Sequence, residues 1–339
     1  MDPVDALSET AFLLERELAP GFKVKAFRRA AAVAGEWAPE ELAARAADGR
    51  LARTKGIGDR SLEIIQQALE GRVPDYLADL RARTGEKLDP AAKALRQTLR
   101  GDLHAHSDWS DGTTDIPSMA AAARALGHEY LALTDHSPNL KIAHGLTPER
   151  LEAELEVVAE VNRGAEGFQL LSGIEVDILA DGALDQQPEL LDRLDVVVAS
   201  VHSKLRDDGP PMTARMLAAV RDPHTDVLGH CTGRLVQGSR GTRPQSSFDA
   251  AAVFAACTEE RVAVEINSRP ERQDPPDDLI AVALEAGCLF SIDSDAHAPG
   301  HLGFIDLGAE RAAAAGIPAD RIVTTWPLDR LLEWTGRRR

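Results

Sequence analysis

Aromatic residues are scarce in this 339-residue chain, at 4%. Its core therefore has to come from Leu, Val, Ile and Ala, as it does in layered α/β folds, and a hydrophobic content of 44% is ample for that. Cysteine is scarcer still: Cys231, Cys257 and Cys288 stand far apart with no CxxC pair. That spacing excludes a thiolate zinc knuckle and a disulfide framework, and leaves the three as buried small hydrophobes. No apolar run approaches the ~18 residues that a membrane-crossing helix needs. The start MDPVDALSETAF lacks a basic segment leading into an apolar one, so no secretory signal is read there. These absences predict a cytoplasmic protein.

Net charge is also missing from the first hundred residues, which hold 17 Lys+Arg against 16 Asp+Glu, whereas residues 101 to 339 hold 21 against 39. An overall charge of −17 argues against a generally sticky nucleic-acid binder. Bound cations would offset part of the acidic excess. The apolar pattern changes at the same place. Residues 1 to about 90 space their apolar side chains for short helices, as at Leu13, Leu14 and Leu18 or Leu62, Ile65 and Leu69. From Gly101 onward, short apolar runs near 101–106, 130–134, 168–174, 194–201, 226–229, 262–266 and 288–293 alternate with helical stretches. Seven strands separated by helices predict a parallel α/β barrel. The polar stretch around Pro90 sets the expected boundary near residue 95, giving a helical domain over 1–95 and a barrel over 96–339.

The chemistry begins at D-L-H-A-H-S, where His104 and His106 stand two apart on an expected strand and so share a face. Asp111 follows in S-D-W-S-D-G, a position with an ordinary turn reading before Gly112. Recurrence changes the weighing. T-D-H-S places Asp135 and His136 after the second run, G-I-E-V-D places Glu175 after the third, V-H-S places His202 after the fourth, and G-H-C-T-G-R places His230 after the fifth. V-E-I-N then supplies Glu265, and D-S-D-A-H supplies Asp293, Asp295 and His297. Six of the ten histidines thus fall at strand ends, which converge on one mouth in a parallel barrel. Imidazole and carboxylate without thiolate suit zinc, manganese or iron.

The same motifs, H-x-H, D-G, T-D-H-S, G-I-E-x-D, H-S, G-H-C-T-G-R and S-D-A-H, resemble the PHP (polymerase and histidinol phosphatase) family over about residues 100 to 335. Asp at 111 and T-G-R after the fifth strand are most similar to the PHP domain of bacterial family-X DNA polymerases. The resemblance implies a distorted seven-stranded (β/α)7 barrel with three divalent ions, Mn²⁺, Zn²⁺ or Fe²⁺. By that likeness His104, His106, Glu175 and Asp295 hold the first ion. Glu175 bridges to a second held by His202 and His230, and Asp111, His136 and His297 hold the third. Such a cluster hydrolyses phosphate esters, with a water shared between ions beside Glu175 and His202 as nucleophile. Arg234, Arg240 and Arg272 are the expected phosphate partners, because guanidinium matches phosphate bidentately, and Lys141 and His144 are further substrate contacts. Asp135, Asp177, Glu265 and Asp293 are expected to orient ligands from behind.

In the front region, T-K-G-I-G-D-R looks like a helix-hairpin-helix turn whose glycines bring backbone N–H groups toward a phosphate at a helix start. Lys55, Gly56, Gly58 and Arg60 are the candidate DNA contacts, with Arg53 beside them. Residues 1 to 90 resemble the N-terminal domain of family-X polymerases, including K-A-F-R-R-A-A-A-V-A at 25 to 34. The position where that domain can carry a lyase lysine is Ile64 here, and the gap between the two regions leaves no room for a polymerase palm. The expectation is a DNA phosphodiesterase acting as a 3′-to-5′ exonuclease or 3′-end processor. A small-molecule phosphomonoesterase similar to histidinol phosphatase and a non-catalytic DNA-binding protein are the alternatives.

Overall fold

The computed structural model describes residues 1–85, 88–238 and 241–336. The chain divides into two compact units, Met1–Lys87 and Leu88–Arg339. The first unit is all helical: α1 (Pro3–Arg16), α2 (Gly21–Gly35), α3 (Pro39–Ala47), α4 (Asp59–Leu69) and α5 (Asp75–Thr84). Its start is set by Asp2, which accepts from the N–H groups of Val4 and Asp5 ahead of Pro3 at the first helical position. Leu7, Leu14, Leu51, Ile64, Ile65, Leu77 and Leu80 form a dry centre.

The K-G-I-G turn leads into α4. Ile57 points into the core, and Gly56 takes φ +101°, where a side chain would be strained and its Cβ would come within 3.1 Å of Val33. Gly58 caps α4 without a side chain.

The second unit opens with α6 (Pro90–Arg96), whose Arg96 pairs with Asp306 at 3.0 Å. That helix lies within the second unit. Seven parallel strands follow in chain order: β1 (Gly101–Ala105), β2 (Tyr130–Leu133), β3 (Gln169–Asp177), β4 (Val196–Ser200), β5 (Val227–Leu228), β6 (Ala263–Asn267) and β7 (Leu289–Asp293). Between and after them run α7 (Ile116–Ala125), α8 (Pro148–Asn162), α9 (Pro188–Leu191), α10 (Gly209–Arg221), α11 (Ala250–Glu260), α12 (Asp277–Ala286), α13 (Ile305–Ala314) and α14 (Leu328–Thr335). The strands are buried on nearly every residue, as a parallel sheet covered on both faces requires.

Between β1 and β7 the ring is completed by a parallel bridge of Ala105 to Ala296, and Leu103 N–H donates to Asp293 Oδ1 at 2.8 Å. The seven expected runs all became strands, with one shift that matters. β3 pairs with β4 as far as Asp177 with Ser200, so Glu175 lies inside a strand and not after it.

Candidate metal centre

Because strands β1 to β7 run the same way, their C-terminal ends deliver polar side chains to one mouth. His104 leaves β1 and His106 follows it, both fully buried. His136 follows β2, Glu175 projects from β3, His202 and His230 follow β4 and β5, and Asp295 and His297 follow β7.

Glu175 is the hub. Its Oε2 lies 3.3 Å from His104 Nε2, 3.5 Å from His106 Nε2 and 2.9 Å from His136 Nδ1. Its Oε1 lies 3.3 Å from His202 Nε2 and 2.8 Å from His230 Nε2. Asp111 Oδ1 forms a second focus, 3.4 Å from His136 Nε2, 3.2 Å from His297 Nε2 and 4.0 Å from His106 Nδ1. Asp295 Oδ1 sits 3.6 Å from His106 Nε2 and 3.4 Å from His297 Nδ1.

Ligand atoms gather into three mutually close groups: His106 with Asp111, His136 and His297; His104 with His106 and Glu175; and His136 with Glu175 and His202. Seven of the nine side chains singled out in the sequence fall in these groups, and His230 and Asp295 join them through Glu175 and His106. The partition differs from that implied by resemblance, since His106 also joins the Asp111 group and His136 also reaches Glu175.

Whether these residues fit cations can be read from their unmet valences. Ring nitrogens of His104, His106, His136, His202 and His230 are buried without a hydrogen-bond partner, as is Glu175 Oε1. Buried polar atoms are seldom left so, and lone pairs converging on shared points are what a cation satisfies. Without a cation, facing carboxylates favour protonation of some of these rings and burial opposes it in others. Burial disfavours the charged form of His104, but Glu265 and Glu175 outweigh it and raise its pKa well above the usual value. His202 is raised the same way by Glu175 and Asp177 against burial. His106, hemmed in by burial and by His297 and His136, is pushed down to about 4. Burial opposes ionisation of Glu175 too, yet the surrounding imidazoles hold its carboxyl well below the usual range.

Behind the ligands lies a set of orienting contacts. Glu265 meets His104 Nδ1 at 2.6 Å and accepts the His230 N–H at 2.5 Å. Asp177 lies 3.5 Å from His202 Nδ1 and accepts the Asn139 amide at 2.6 Å. Asp295, in a left-handed conformation at φ +50°, is held by Asn267 at 3.0 Å and by Arg272 at 3.0 Å. Asp135 and Asp293 bind backbone N–H groups of Ser107 and Leu103.

The expected phosphate partners are placed less uniformly. Arg272 is buried on Asp295, and Arg234 donates to the carbonyls of Arg272 and Gln273, bracing that loop. Arg240 lies outside the described residues. Lys141 and His144 are exposed on the loop after β2. In the first unit, Lys55 is exposed, while Arg60 pairs with Glu63 at 2.5 Å and lies over the Tyr76 ring. The sequence reading passed over Arg269. It is buried beside the Asp111 focus, with Nη1 2.8 Å from His297 Nδ1 and 3.6 Å from Asp295 Oδ1. Its place two residues past Asn267 in V-E-I-N-S-R, at another strand end, was the available signal.

Residues 102–269 match the family model described as PHP domain. The barrel is a PHP domain. The DNA polymerase/3′-5′ exonuclease PolX of Bacillus subtilis (strain 168) is 38% identical over 199 residues, which is 59% of this chain but 34% of that protein. This chain thus spans about a third of that relative's length. A probable phosphatase of Thermoanaerobacter sp. (strain X514) is 27% identical over 235 residues, covering 66% of this chain and 89% of that one. The solved histidinol phosphate phosphatase of Lactococcus lactis aligns at 18% identity with a TM-score of 0.46, over 65% of this chain and 95% of that one. The PHP match and the sequence relatives support a metal-dependent phosphoester hydrolase.

Proposed function

We propose that the protein is a metal-dependent phosphodiesterase that shortens DNA from its 3′ end, as a 3′-to-5′ exonuclease or an end-trimming enzyme. The observation that carries the hydrolytic half is the set of unpartnered ring nitrogens gathered with Glu175 Oε1, beside Asp111. Support for DNA comes from the K-G-I-G turn of the first unit and from the likeness to a polymerase/exonuclease.

His104, His106, Glu175 and Asp295 would hold one divalent ion, Glu175, His202 and His230 a second, and Asp111, His136 and His297 a third, as Mn²⁺, Zn²⁺ or Fe²⁺. Such ions supply a nucleophile at neutral pH and neutralise charge on the phosphorus oxygens. The chain's own part is to fix geometry. Glu265 and Asp177 orient His104 and His202, and Arg272 and Asn267 hold Asp295. Arg269 brings fixed positive charge to the edge where Asp111 and His297 meet, suited to an anionic ester. Lys141 and His144 stand exposed on the loop that leaves His136 and would contact the outgoing strand. Lys55, Gly56, Gly58 and Arg60 would steady the backbone of the DNA at the first unit.

A small-molecule phosphomonoesterase is the second reading. It is favoured by one fact: the match to the probable phosphatase of Thermoanaerobacter covers 89% of that protein but 66% of this chain. The three cysteines are buried thiols, which suits a reducing, cytoplasmic setting; among the described residues no helix is long and apolar enough to cross a membrane.

The test offers Mn²⁺-loaded protein end-labelled single- and double-stranded DNA beside histidinol phosphate, with His202→Ala as the control. Ladder-like shortening lost in His202→Ala is the expected result. Phosphate release from the small ester alone would overturn the DNA reading.

A further inference from the structure

Two loops form the outer wall of the metal cluster, and the side chains that fix them come from a helix that carries no ligand. The loop after β1 presents Asp111. The loop after β2 starts at His136 and returns to it, since Leu146 N–H donates to His136 O at 2.7 Å and a Cβ on Gly145 would fall 1.8 Å from Ser137 O. Arg150 and Glu154, one turn apart on α8, face both loops.

The Arg150 guanidinium donates to His144 O at 2.6 Å, to Gly145 O at 3.3 Å and to Trp109 O. One planar fork thus ties the first loop to the second. Glu154 is 1% exposed and lies within hydrogen-bonding reach of Asp135. Asp135 in turn accepts from Ser107 N–H at 2.8 Å and from the hydroxyls of Ser107 and Ser110, each at 2.5 Å. The segment leading to Asp111 therefore hangs from Asp135, and Asp135 rests on Glu154. Burial and the Asp135 charge push the Glu154 carboxyl well above its ordinary range, which favours the neutral acid, a form that can donate from its otherwise unpartnered buried Oε2 to Asp135.

We infer that Arg150 and Glu154 are positioning residues for the cation group of His106, Asp111, His136 and His297: they hold the two loops at the spacing at which Asp111 and His136 share an ion. The inference rests on the metal-dependent reading above. Outer-shell partners of metal ligands typically contribute about 10–100-fold in affinity or activity.

The test uses the full chain, loaded with Mn²⁺, passed through a chelating column and analysed for metal per chain. Melting temperature and hydrolysis of bis(p-nitrophenyl) phosphate are followed in parallel. Glu154→Leu and Arg150→Met are expected to lose one ion per chain while keeping the others, with kcat down about 10–100-fold. Glu154→Gln, which keeps a neutral donor, should retain the wild-type metal count. Full metal retention in both Glu154→Leu and Arg150→Met would overturn the inference, as would Glu154→Gln losing as much as Glu154→Leu. Loss of every ion together with collapse of the melting temperature in both loss variants would show a general folding role and overturn it equally. Wild-type protein that retains no Mn²⁺ at all would instead remove the metal-dependent reading itself.

Discussion

Metal uptake by this cluster should expel protons, and the size of the effect follows from His136. Burial disfavours its charged form, but the facing carboxylates of Glu175 and Asp111 outweigh that and hold its pKa up at about 10. A free imidazole titrates near ~6.5, so in the metal-free protein His136 is protonated at pH 7 and cannot offer a lone pair. Each pH unit below its pKa costs roughly 1.4 kcal/mol. At pH 7 the penalty is roughly 4 kcal/mol, or a loss of about 10³ in apparent affinity relative to pH 10. His104 and His202 are raised as well, so apparent log affinity should climb by at least about one per pH unit between 7 and 9, and more if they share the release.

The sign for folding runs the other way. A raised imidazole stabilises the metal-free fold fully below pH ~6.5 and progressively less as pH rises through about 10. Metal-free protein should therefore melt earlier on going from pH 6.5 to pH 9, while loaded protein should not. Chelator competition at several pH values, with calorimetry in buffers of different ionisation enthalpy to count protons, measures the first effect. An affinity flat between pH 7 and pH 9 with no proton released would refute the assignment of protons to the carboxylate-facing imidazoles.

Other perturbations follow from the same contacts. Glu175→Gln removes the charge shared by five imidazoles, and metal content and hydrolysis should fall by more than the about 10–100-fold typical of outer-shell changes. Glu265→Gln leaves every ligand in place but weakens the orientation of His104, so elemental analysis should show a loss of affinity of about 10–100-fold. Lys55→Glu should weaken DNA binding and reduce the salt-dependence slope by about one, measured by anisotropy; an equal loss on bis(p-nitrophenyl) phosphate would argue that the turn serves only folding.

The clustered residues were legible because their chemistry repeats with the barrel's own period. A His, Asp or Glu stands at or near the end of each strand, so His104, His136, His202 and His230 could be picked out from strand patterning. Glu175 was found by its motif but placed one step too late, because the extra pairing of β3 with β4 leaves no mark in hydrophobicity. Arg150 and Glu154 were invisible for a different reason. On α8 they look like ordinary helix-surface charges, and only the packing of two distant loops against that helix turns them inward. Arg234 illustrates the converse: a loop arginine beside the site is consumed by the carbonyls of Arg272 and Gln273, which depends on the path of a segment some forty residues later.

The closure of the ring carries a consequence for how the domain comes apart. Its first and last strands meet across a short seam, and the candidate ligands His104 and His106 flank one side of it while Asp295 and His297 flank the other. An ion gripped by both sides would act as a clasp between segments roughly 190 residues apart, where loop closure is entropically demanding. Stripping the cations should loosen that join before the rest of the sheet, so proteases or hydrogen exchange would find β1 and β7 first.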